Sequence, residues 1–172
     1  MNYRNVIKVI GGLLLLVGSC QAICMLFSWL DPEQLEEQRT VRAFLISTLL
    51  SIGIGALGIW LGRRTSRDLL RKEAITVVGL GWIICAAFGA IPYLLIEPGL
   101  SIVDSLFESM SGFTTTGASV LADLEIMPRG ILLWRALTQW LGGMGILVLF
   151  VALLSSFRIG SRAIFRHESS AQ

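Results

Sequence analysis

Charge is scarce in this sequence: 14 Lys and Arg and 12 Asp and Glu make up 15% of 172 residues, against 54% hydrophobic residues. Soluble domains carry about 25% charge, so the composition is that of a membrane protein. The net charge of +2 is gathered at segment ends rather than on one basic face, which leaves nucleic-acid binding without support. Histidine is nearly absent, and His167 alone in a polar tail supports neither a metal site nor a proton relay. The 3 cysteines, Cys20, Cys24 and Cys85, all lie inside apolar runs and describe no disulfide framework. Cys20 and Cys24 are spaced to share a helix face, but no further ligand lies nearby, so all three read as small apolar packing residues.

Long apolar runs are what the chain has instead. Arg4 and Lys8 followed by "GGLLLLVGSC" resemble a signal peptide. The run continues through "QAICMLFSWL" to Leu30, however, and about 25 residues from Val6 can cross the hydrocarbon core with some tilt. Further spans are expected from Ala43 to Leu61, Ala74 to Ile96 and Gly130 to Phe157. "RRTSRDLLRKE" after the second span holds five Arg and Lys, and Arg158, Arg162 and Arg166 follow the fourth. The positive-inside rule therefore predicts cytoplasmic N- and C-termini, with the acidic loop "DPEQLEEQRTVR" outside. The basic loop is also suited to anionic headgroups or a cytoplasmic partner.

The segment from Glu97 to Arg129 is too polar and too interrupted by Pro98, Gly112, Gly117 and Pro128 to be a fifth span. Within it "LSIVDSLFESMSG" predicts a short helix with Ser101 as N-cap, Asp104 in capping-box spacing, and Gly112 as the stop. Such a helix extends about 16 Å, roughly half the bilayer core, which predicts a re-entrant helix and loop. Irregular backbone at that depth is tolerated only inside protein or against a wet path, so "TTTGAS" is expected to line something wet. A run of carbonyls can replace the water shell of a large monovalent cation, with glycine supplying the backbone angles and threonine adding uncharged oxygens. The negative end of the short helix dipole adds to that attraction.

Plainer readings stand beside these. "TTTGAS" has the composition of an ordinary turn. Asp104 and Glu108 are spaced like a paired carboxylate, but without a nucleophile, base or metal they read as a cap and as packing or hydrogen bonding behind the loop. Arg135 either braces the loop, through carbonyls or Glu108, or snorkels to the outer interface, while Gln139 bonds a neighbouring helix. Gly142, Gly143 and Gly145 serve either as a hinge or as close-packing positions, and packing also accounts for Gly53, Gly55, Gly58, Gly79 and Gly81. Pro92 is expected to kink the end of the third span.

"SLFESMSGFTTTGAS", followed by "MPRGILLWRALTQWLGGMGILVLFVALL", resembles the first pore-forming repeat of the TrkH/TrkG/KtrB superfamily of potassium transporters. The resemblance covers Lys72 to Gln172, and the two upstream spans fit the extra helix pair of the TrkH branch. It implies an all-α integral membrane protein with four transmembrane helices, one short re-entrant pore helix and a filter loop. Residues 1–71 would be the N-terminal pair and 72–172 one repeat of a four-repeat, potassium-channel-like architecture with the start of a cytoplasmic linker. It places the filter glycine at Gly117, potassium-coordinating carbonyls at Thr115 and Thr116, and flanking positions at Thr114 and Ala118. It further implies potassium uptake across a bacterial inner membrane, a TrkA-type nucleotide-binding regulatory partner, and no cofactor beyond the transported ion. One repeat encloses no pore, so the chain is expected to be a fragment of a longer transporter or to assemble with other repeats or copies. The alternative is a non-conducting structural or regulatory subunit that joins full-length relatives.

Overall fold

A computed structural model describes residues 3–30, 37–64, 71–96, 99–124 and 126–147. They form α1 (Tyr3–Leu30), α2 (Glu37–Gly62), α3 (Arg71–Leu95), the short α4 (Ile102–Phe113), and α5 over 129–147, with no strand among the described residues. Three of these helices, the first three, are long and apolar enough to cross a membrane. The rest of the expected fourth span, 148–157, lies outside the described residues, as do His167, most of the basic loop and 31–36 of the acidic loop.

Small residues let α1 and α2 run antiparallel at close range. A Cβ on Gly11 would stand 2.7 Å from the Gly55 carbonyl oxygen, one on Gly55 would stand 2.8 Å from that of Gly11, and Gly58 faces Ile7 and Gly11. Lipid tails are as apolar as leucine, so such helices associate through close backbone approach and polar contacts rather than hydrophobic burial. Gly53 and Gly79 depart from the packing expectation: a Cβ on either would meet nothing within 4 Å. Both are exposed, on the outward faces of their helices.

Pro92 lies inside α3. Proline has no N–H, so the Phe88 carbonyl one turn earlier loses its intrahelical donor. Gln21 of α1 fills that vacancy from its Nε2 at 3.1 Å, while its Oε1 accepts from the Ser51 hydroxyl of α2 at 2.8 Å. The next carbonyl, Gly89, accepts from Trp134 Nε1 of α5 at 3.0 Å. Trp134 stands edge-on to both Phe44 and Phe113, with ring centroids 6.4 Å apart in each case. These rings, with Cys20, Cys24, Tyr93 and Ile131, form the core against which α4 is set. Cys20 and Cys24 are buried free thiols there, and Cys85 is half-buried.

Candidate functional site

α4 begins as its sequence demands. Ser101 is extended at φ −60° and ψ 161°, its hydroxyl oxygen accepts from the Asp104 N–H at 3.1 Å, and the hydroxyl donates to Asp104 Oδ2 at 2.7 Å. Asp104 is thereby occupied at the cap while Glu108, one turn on, is buried. The two carboxylates do separate work and form no catalytic pair. The 12 residues of α4 extend about 18 Å.

The helix does not stop at Gly112. It continues to Phe113, and Thr114 is its C-cap. Gly112 is needed for packing instead, because a Cβ there would collide with the Thr138 side chain of α5. The terminating left-handed residue is Thr115, at φ 57°. Thr115 N–H donates to the Gly112 carbonyl at 2.9 Å and Thr116 N–H to that of Ser111 at 3.0 Å. Those two bonds make a Schellman turn in which threonine occupies the position that usually favours glycine. A β-branched residue held at positive φ stores about 1–2 kcal/mol of strain. Two residues later Gly117 is also left-handed, at φ 75°, where glycine bears no such strain.

Strain of this kind persists only where the surroundings hold the chain, and they do so from behind the loop. The Thr114 hydroxyl donates to the Met110 carbonyl at 2.8 Å and lies 2.8 Å from the Thr116 hydroxyl. Ser111 donates to the Ala118 carbonyl at 2.6 Å. Buried Glu108 accepts through Oε1 from the Ser119 hydroxyl at 2.7 Å and the Val120 N–H at 2.6 Å, and through Oε2 from Arg135 Nη1. Arg135 also donates to the Ser119 oxygen at 2.7 Å, which accepts from the Leu121 N–H at 3.1 Å. One carboxylate on the short helix and one guanidinium on α5 therefore clamp residues 119–121.

Forward of that clamp the loop is open. Thr114 and residues 116–120 are exposed, with Thr115 partly so. No described residue donates a hydrogen bond to the carbonyls of Thr115, Thr116 or Gly117, in contrast to that of Ala118. Gln139 comes near, its Nε2 lying 3.4 Å from where a Gly117 Cβ would be. Beneath the loop, a Cβ on Gly142 would land on the Phe113 carbonyl oxygen. Around Gly143 and Gly145 there is more room, with nearest atoms on Thr115 and Trp82 at 3.9 and 3.8 Å.

The structure thus gathers Glu108, Arg135, Thr114 to Ala118 and Gly142 around one turn. Sequence reasoning missed Ser111, Ser119 and the Val120 N–H as the groups that hold the loop, because their partners are distant in the chain and carry no local signature. It also missed Gln21 and Trp134. From the sequence Pro92 reads only as a kink, although its missing N–H is the one local signal that the Phe88 carbonyl needs another donor.

A family model described as "TrkH: Cation transport protein" matches residues 40–172. The Trk system potassium uptake protein TrkH of Salmonella typhimurium is 34% identical over 169 residues, covering 98% of this chain and 34% of the relative. An uncharacterized cation transporter of Methanocaldococcus jannaschii is 32% identical over 170 residues, 98% of this chain and 34% of its own length. The crystal structure of the potassium transporter TrkH from Vibrio parahaemolyticus superposes with a TM-score of 0.81 at 33% identity, over 90% of this chain and 32% of that one. The chain spans about a third of the length of these relatives.

Proposed function

This chain belongs to the TrkH family of cation transport proteins, and from that premise we propose that it forms one wall of a potassium path. Thr115 and Thr116 present backbone carbonyls to the ion, Gly117 sets their direction, and Thr114 and Ala118 flank the site. The observation that carries this reading is a loop held from behind with open oxygens: the Thr115 and Thr116 amides, the Ala118 carbonyl, the Ser119 hydroxyl and the Val120 amide are tied back to α4 and α5, while no described residue donates to the carbonyls of residues 115–117. A dehydrated cation needs free oxygens on a held backbone, and this arrangement has both. Glu108 and Arg135 support the loop from behind.

One such wall needs three more, from further pore repeats or from other copies, to surround an ion. In this reading residues 1–71 are an accessory helix pair and 72–172 a pore repeat with the start of its linker. The family resemblance supports a bacterial inner membrane, and the basic residues at the segment ends favour cytoplasmic termini, so that in this reading α4 enters from outside. A cytoplasmic nucleotide-binding subunit of the TrkA type would then meet the inner face. Gly142 is committed to packing against Phe113, which leaves Gly143 and Gly145 as the hinge positions of α5.

The test is Gly117→Ser in the complete transporter, with potassium and sodium uptake measured side by side. At φ 75° a serine is strained by about 1–2 kcal/mol, enough to change relative ion binding roughly tenfold. A loss of potassium preference is expected, and an unchanged rate and preference would overturn the proposal.

A further inference from the structure

The accessory helix pair meets the pore repeat at a point whose chemistry is unusual. Pro92 leaves the Phe88 carbonyl without an intrahelical partner, and in a membrane such a group must find one within the protein. Its donor is Gln21, fully buried and held in turn by buried Ser51, so one amide joins α1, α2 and α3. The adjacent Gly89 carbonyl is taken by Trp134 from the other side. Trp134 is itself fully buried, and its ring rests edge-on against Phe113, the last residue of α4 before the loop. Phe113 in turn is pressed against Gly142 through its carbonyl. A continuous set of contacts therefore runs from the helix pair, through two neighbouring carbonyls in the turn before Pro92, to the base of the loop.

We propose that Gln21 is a positioning residue for the pore loop: by donating to the Phe88 carbonyl it seats the α1–α2 pair on α3 one turn before Pro92 and fixes the Gly89 carbonyl that orients Trp134 and Phe113. The helix pair then has a task beyond crossing the membrane, since it sets where the re-entrant helix ends. This inference rests on reading residues 114–120 as the pore loop, but its test does not depend on which ion passes.

The experiment compares amide hydrogen exchange over residues 114–121 in the complete protein and in Gln21→Met, Ser51→Ala, Pro92→Ala and Gln21→Met/Pro92→Ala. Gln21→Met keeps the length of the side chain and removes the donor. It is expected to speed exchange of the Thr116 and Val120 amides roughly tenfold by promoting local opening. Ser51→Ala leaves the Phe88 bond intact and is expected to change loop exchange less than about twofold, since only the α1–α2 contact is lost. Pro92→Ala restores an N–H for Phe88, so adding Gln21→Met in that background is expected to have little further effect on the loop. Should Gln21→Met alone fail to fold, Pro92→Ala is expected to rescue it.

Four results overturn the proposal: unchanged loop exchange in Gln21→Met, equal acceleration by Ser51→Ala, equal acceleration in both proline backgrounds, or no rescue of a non-folding Gln21→Met. If instead Gly117→Ser leaves ion preference intact while these exchange results hold, the potassium reading fails and the positioning role stands.

Discussion

Replacing Glu108 is the sharpest test of how the loop is held. Glu108 is 2% exposed, and its carboxylate binds the Ser119 hydroxyl, the Val120 N–H and Arg135 at once. Hydrogen bonds to charged groups contribute about 1.5–3 kcal/mol each, but bonds within one network are not additive. Arg135 retains 22% side-chain exposure and so recovers part of its hydration when its partner is removed. Glu108→Ala is therefore expected to destabilise by about 3–5 kcal/mol, the cost of breaking a buried pair from one side. Glu108→Gln keeps an oxygen for Val120 and Ser119 and loses the ion pair, so about 1–3 kcal/mol is expected. Unfolding free energies of the complete transporter in detergent would be measured for both, and for each combined with Arg135→Met. Because the two side chains are in contact, the Ala cycle should show a coupling between about 0.5 and 3 kcal/mol. Potassium uptake is expected to fall in the same order, with Ala below Gln. Additivity within about 0.5 kcal/mol, or equal effects of Ala and Gln, would refute the idea that this carboxylate is the centre of the clamp.

Four further substitutions, at Thr115, Gly142 and Gly143, follow from the backbone. Thr115→Gly releases positive-φ strain and is expected to be neutral or stabilising by up to about 1 kcal/mol in a thermal unfolding assay. Thr115→Pro cannot adopt φ 57° and deletes the N–H bonded to Gly112, so a loss of about 3 kcal/mol is expected. Gly142→Ala drives a methyl group into the Phe113 carbonyl and should cost about 1–3 kcal/mol, with reduced uptake. Gly143→Ala, whose nearest neighbour would be at 3.9 Å, should be neutral or stabilise the helix by about 0.5–1 kcal/mol. Equal stability of the two alanine variants would contradict the packing described for α5.

The sequence by itself made the first three long helices legible, because runs of about 20 or more apolar residues have few alternatives in a bilayer. It determined the start of α4 through Ser101 and Asp104, which lie in one turn and need no distant partner. It also marked the loop, since three threonines and a glycine after a half-length helix interrupt the apolar pattern. Tertiary structure decided how α4 ends. Gly112 is the better local stop, yet close contact with Thr138 uses it within the helix and moves the left-handed turn onto Thr115. Tertiary structure also chose which of several polar side chains became partners. Glu108, Arg135 and Ser119 meet only because α5 returns beside α4, and Gln21 meets Phe88 only because α1 passes α3 one turn before Pro92. Periodicity reports which face of an element is apolar, whereas a polar group's partner depends on where another element lies, and that is known only once the helices have packed.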